Sequence, residues 1–154
     1  IVSFMIIGAF EESLTKFVYL AAFIPVIMGM GGNIGTQSST IVVRGLATGR
    51  IHIRDFWPIV YKELSVGMIL GIIYGVLIGI VAQFQYSTEL LAVSVGLAVV
   101  SSMSIAALVG SFVPMVFAKI NVDPAVATGP FVTTAIDIIS VFFYFQIATI
   151  LLGL

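Results

Sequence analysis

Apolar residues run along this chain in blocks of roughly 20 to 30, divided by short polar turns, and that pattern predicts a bundle of membrane-crossing helices. Ile1–Phe10 would rise only about 15 Å as a helix, half of a bilayer core, so it reads as the truncated end of a first span. It has neither the charged flank nor the small-residue cleavage site of a signal peptide. Phe10–Lys16 forms a polar turn whose Glu11 and Glu12 suit the start of the next helix, where the dipole favours negative charge. The second block, about Leu14 to Ala47, exceeds a straight span and should be tilted, kinked at Pro25 or extended past the membrane. After a basic connection, Thr48–Asp55, the third block covers about Pro58 to Phe84, anchored by Phe56 and Trp57. Gln85–Glu89 turns the chain into a fourth block, about Leu90 to Ala118, and Lys119–Pro124 into a fifth, about Pro124 to Gly153. Asp123 and Pro124 read as N-cap and first residue of that last helix.

Small and polar residues inside the blocks predict how the helices meet. Gly67, Gly71, Gly75 and Gly79 recur every four residues and form a helix-packing face. Ser94, Ser101, Ser102 and Ser104 suit interhelical hydrogen bonds, with a kink available at Pro114. The second block is less ordinary. Within PVIMGMGGNIGTQSSTIVVR, Pro25–Arg44, it sets Pro25, Gly29, Gly31, Gly32, Gly35, Asn33 and Gln37 where a lipid-facing helix carries Leu and Val. Loosened backbone at membrane depth needs protein or trapped water around it. Two readings fit: a broken or tightly packed helix lining a polar path, or a small-residue crossing with Asn33 as hydrogen-bond donor.

Composition fixes the class. With 60% hydrophobic residues, 8% charged and a mean hydropathy of +1.24, the chain is an all-α integral membrane protein with about five transmembrane helices, forming one domain over residues 1–154. A net charge of −1 argues against nucleic acid, and the lack of cysteine removes disulfides and thiolate metal sites. No nucleophile–base pair or cofactor motif points to an enzyme. Arg44, Arg50, Arg54, Lys62 and Lys119 flank one set of turns and Lys16 the other, so the basic loops should be cytoplasmic and the C-terminus outside.

Of the acids, Asp137 alone falls deep inside an apolar run. A mid-membrane Asp costs roughly 2.5–3.5 kcal/mol to insert, and no Lys or Arg sits at its depth, so water, an ion, a proton or hydrogen-bond donors should face it. Thr133, Thr134, Ser140 and Tyr144 share its helical face and extend it into a polar stripe, although each threonine could instead bond back to its own helix. Asp137, Asn33 and glycine-freed carbonyls offer the oxygen ligands of a hard dication. Mg2+, Ca2+, Mn2+ and Na+ all fit that donor set.

The residues Pro25, Gly29, Gly32, Asn33, Gly35, Thr36, Gln37, Ser38, Thr40 and Arg44–Ala47, with YKEL at Tyr61–Leu64 and DPAVATGPFVTTAID at Asp123–Asp137, resemble the MgtE family of magnesium transporters and channels along nearly the whole chain. The resemblance implies Mg2+ as the ion and a homodimer in the plasma membrane with its pore on the twofold axis, lined by the second and fifth helices. It also implies cytoplasmic regulatory domains preceding the first helix. Asp137 matches the aspartate that holds a hydrated Mg2+. Gly29, Gly32, Asn33, Gly129 and Thr133 match positions near that ion. Some members carry Asn at the position of Gly129, so any contact there is through the backbone. Glu63 matches a cytoplasmic-side acid that binds a regulatory ion, or it pairs at the interface with Lys62 or an arginine. Two further readings stay open: a proton-coupled secondary transporter that protonates Asp137, and a non-transporting membrane scaffold.

Overall fold

The computed structural model describes residues 2–11, 18–127 and 129–153. They fold into five α-helices: α1 (Val2–Ala9), α2 (Tyr19–Ala47), α3 (Phe56–Tyr86), α4 (Glu89–Lys119) and α5 (Pro130–Leu152). The last four are long and apolar enough to cross a membrane, and α1 is the short first segment that the sequence predicts. The turn expected over Phe10–Lys16 and the start of the second block at Leu14 reach into residues 12–17, outside the described residues.

Each turn has a local cause. Helix α2 ends where Gly49 takes φ +68°, which lets the backbone N–H groups of Arg50 and Ile51 both donate to the Gly45 carbonyl, at 2.9 and 3.0 Å. A short 3-10 turn, Ile53–Asp55, then leads into α3, with the His52 backbone N–H donating to Asp55 Oδ2 at 3.2 Å. Asp123 is a cap, but not of the fifth helix. Its Oδ1 accepts from the Ala125 N–H at 2.9 Å and closes a separate 3-10 turn, Pro124–Ala127. The long helix begins only at Pro130, after Gly129 at φ +76°, so the expected start at Pro124 is corrected: a glycine with positive φ separates the short turn from the helix.

Helix α4 is the centre of the bundle and packs against α2, α3 and α5. In the most apolar stretch of each helix, 44% of residues are buried in α4 against 17% in α3, which makes α3 the peripheral helix. The glycine face of α3 lies on α4. A Cβ added at Gly75 would stand 2.6 Å from the Gly96 carbonyl oxygen, and one at Gly71 would stand 3.0 Å from Val100 Cα. The two backbones therefore touch, as the four-residue spacing predicts. The opposite face of α3, with Ile69, Ile73, Val76, Leu77, Ile80 and Phe84, is exposed and wholly apolar, the surface that lipid tails cover.

Candidate functional site

Helix α2 runs unbroken through Pro25 and the GMGGN run, so of the two forms first expected for this stretch the tightly packed one holds. Pro25 has no N–H and so removes one helix hydrogen bond, yet the helix continues through it. Gly31 and Gly35 face inward. A Cβ at Gly31 would come within 2.9 Å of Ser140 Oγ, and Gly35 lies directly against Gly110 of α4 and Ile136 of α5.

Three hydroxyls fasten this junction. Ser102 Oγ lies 3.2 Å from the Ile27 carbonyl and 2.8 Å from Ser140 Oγ, joining α4, α2 and α5 at one buried point. Tyr144 Oη donates to the Leu20 carbonyl at 2.8 Å, a second bond from α5 to α2. These bonds are made in a dry interior, where a donor left unmatched costs about 1–3 kcal/mol, so they fix the depth of α5 relative to α2.

The outer side of α2 is the unusual surface. Pro25, Gly29, Asn33, Gln37, Thr40 and Arg44 are all exposed and recur at helical spacing, giving one continuous stripe opposite the buried residues. Unlike the outer face of α3, this stripe offers amides, a hydroxyl and bare backbone. A lone span does not turn such groups to hydrocarbon.

Asp137 lies at the edge of that stripe. Its Oδ1 is 3.6 Å from where a Cβ of Gly32 would be, and Thr133 Cγ2 is 3.9 Å from the same point. The missing side chain at Gly32 thus makes room for the carboxylate beside α2. Asp137 is half-buried, with no hydrogen bond or ion pair to any described residue. Among the described residues no three His, Cys, Asp or Glu side chains gather, so within one chain Asp137 offers a single carboxylate. That donor set suits an ion that keeps most of its water.

The sequence-predicted residues separate into groups. Gly32, Thr133 and Asp137 come together, with Asn33 next along the α2 stripe. Gly29 is on the same stripe, with open space where a side chain would be. Thr133 bonds back to its own helix: its Oγ1 and its N–H both donate to the Gly129 carbonyl, at 2.6 and 3.1 Å. The polar stripe expected along α5 is divided. Thr134 and Asp137 remain accessible, whereas Ser140 and Tyr144 are buried because α5 passes beneath α2 and α4 there. Glu63 lies apart from this group, 5% exposed on the inner face of α3, one turn from Gly67. It pairs with neither Lys62 nor an arginine, so the interfacial ion pair considered for it does not form. Sequence reading overlooked Gly35 and Gly110 as a backbone contact; the small residues at Gly31 and Gly35, four apart, were the signal for it.

Comparison with known proteins adds the family. Residues 24–147 match the family model MgtE, described as a divalent cation transporter. The chain is 36% identical over 149 residues to the magnesium transporter MgtE of Bacillus subtilis, with 97% of the chain aligned. It is 37% identical over 144 residues to the protein of that name in Enterococcus faecalis, with 94% of the chain aligned. For the one in Thermus thermophilus the figures are 35% over 147 residues, with 96% of the chain aligned. The chain spans about a third of the length of these relatives.

Proposed function

Because the chain belongs to the MgtE family of divalent cation transporters, we propose that it forms the pore of a magnesium channel or transporter, in which α2 and α5 of two copies face each other across a twofold axis. One observation carries this reading: a helix long and apolar enough to span a membrane turns Asn33, Gln37 and bare glycine outward, with Asp137, unpaired among the described residues, at the edge of the stripe. A second copy placed against that face shields it from lipid and brings a second Asp137 to the same path. The relatives' shared name, magnesium transporter, supports Mg2+ as the ion.

In this proposal Asp137 attracts the hydrated ion, and Gly29, Gly32 and Asn33 give it a narrow wall of carbonyls and an amide. Gly129 and Thr133 shape the mouth at the start of α5. Two carboxylates in a protein wall attract a dication several-fold more strongly than in bulk water, even at an effective dielectric of about 20. The passing ion keeps its inner water because Mg2+ sheds it reluctantly. Glu63 serves as a separate ion site toward the basic end. That end, with Arg44, Arg50, Arg54 and Lys119, faces the cytoplasm of a plasma-membrane protein, where regulatory domains adjoin it.

The test is Mg2+ flux into proteoliposomes with wild type, Asp137→Ala and Asp137→Asn, together with melting curves with and without Mg2+. Both variants are expected to lose at least tenfold in flux while remaining dimeric and melting as wild type does without Mg2+. Near-normal flux in Asp137→Asn would show a structural acid instead. Proton movement in fixed ratio to the ion would favour the proton-coupled carrier, and no flux in wild type the scaffold.

A further inference from the structure

A cavity at the basic end of the bundle adjoins the last residue of the α2 stripe, Arg44, and the pore reading gives its cations no ligand. Arg44, Arg50 and Lys62 line an opening of about 420 Å3, with Ile41 and Ile51 forming its apolar wall. Local structure brings the three cations there from different segments. Arg44 belongs to the last turn of α2, and Lys62 to the second turn of α3. Arg50 is folded back beside them by its backbone hydrogen bond to Gly45. None has a carboxylate within 4.0 Å among the described residues, and Asp55, the described acid nearest in sequence to Arg50, instead lies 3.5 Å from His52. Three cations gathered without a counter-ion call for an anion from outside this part of the chain.

The surroundings indicate which anion. Trp57 and Tyr61 are 58% and 62% exposed in the first turns of α3, immediately before Lys62, and exposed Trp and Tyr mark the headgroup level of a bilayer. Ile41, 44% exposed one turn above Arg44, continues the cavity toward the hydrocarbon. A ligand here meets fixed positive charge at headgroup depth and an apolar wall just beyond it. We propose that Arg44, Arg50 and Lys62 hold the phosphodiester headgroup of an anionic phospholipid, with an acyl chain lying along Ile41. Basic pockets between spans recognise such lipids through charge-assisted hydrogen bonds, and arginine matches a phosphate with two parallel donors. The inference stands independently of ion transport.

The experiment uses the protein at its natural length in nanodiscs of equal phosphatidylglycerol and phosphatidylcholine, with the retained lipids identified by native mass spectrometry. Wild type is expected to keep phosphatidylglycerol in preference. Lys62→Gln should reduce that preference about fivefold, the factor for one basic residue near a membrane surface, and Arg50→Gln/Lys62→Gln by more than tenfold. Lys119→Gln, outside the cavity, should leave it intact. Should the double variant fail to fold, Lys62→Gln decides alone. Equal retention of both lipids by wild type, or a full preference in a folded Lys62→Gln variant, overturns the proposal. So does displacement of the lipid by millimolar inorganic phosphate, which would make this a free-anion site.

Discussion

Helices α2 and α3 both carry glycines at four-residue spacing, and the two helices use them differently. On α3 the glycines face one way, onto α4, and the outer surface is Ile, Val, Leu and Phe. On α2 they are divided: Gly31 and Gly35 pack inward, Gly32 makes room for Asp137, and Gly29 faces open space among amides. Glycine therefore marks close approach in both helices, and its neighbours decide what approaches. Apolar neighbours go with another backbone, while Asn33, Gln37 and an intramembrane acid go with something polar.

Substitutions can break or sharpen this contrast. The largest change in stability is expected from Gly75→Leu, which drives a side chain into the Gly96 backbone; overpacking of this kind costs roughly 1–3 kcal/mol, occasionally more. Thermal melting in detergent should show it, and an unchanged midpoint would mean that α3 is not held by its glycine face. A smaller loss, about 1 kcal/mol, is expected for Ser102→Ala, which removes the bonds to Ile27 and Ser140. Because those bonds set the depth of α5, Mg2+ flux should fall in this variant even below its melting range. The smallest effect belongs to a matched pair. Gly71→Ala places a methyl 3.0 Å from Val100 Cα and should destabilise, whereas Gly29→Ala meets nothing within 4 Å and should gain up to roughly 0.5–1 kcal/mol of helix propensity. Melting shifts of opposite sign in the two variants would support the division; destabilisation by both would remove it.

Much of this was legible in the chain itself. The spans, their short turns and the packing face of α3 follow from blocks of apolar residues and a strict glycine period. Asp137 stood out because nothing nearby in sequence neutralises it. The start of α5 was not legible, because Asp123-Pro124 is a valid helix opening and only the left-handed Gly129 shows that the chain first makes a separate turn. Nor was the fate of Ser140 and Tyr144. Periodicity puts them on the face of Asp137, but a helix crossing at an angle is covered along part of its length only, and the crossing depends on three other helices. The cavity of Arg44, Arg50 and Lys62 was hidden for a similar reason: the sequence counts these charges toward orientation, and the turn at Gly49 brings them together.

The hydrogen bond between Tyr144 and Leu20 also bears on how the protein is made. It joins residues 124 positions apart, whereas Gly79 meets Ala92 as soon as the next helix emerges. At roughly 5–20 residues per second, α3 and α4 can pair within moments of leaving the ribosome, but α2 waits roughly 6–25 s for α5. During that interval α2 is inserted with Gly31 and Gly35 uncovered, because α5, whose Ser140 and Ile136 pack on them, has not been synthesised. Nascent α2 should then be held by the insertion machinery after α3 and α4 have moved into lipid, so crosslinks from position 33 to that machinery should outlast those from position 77.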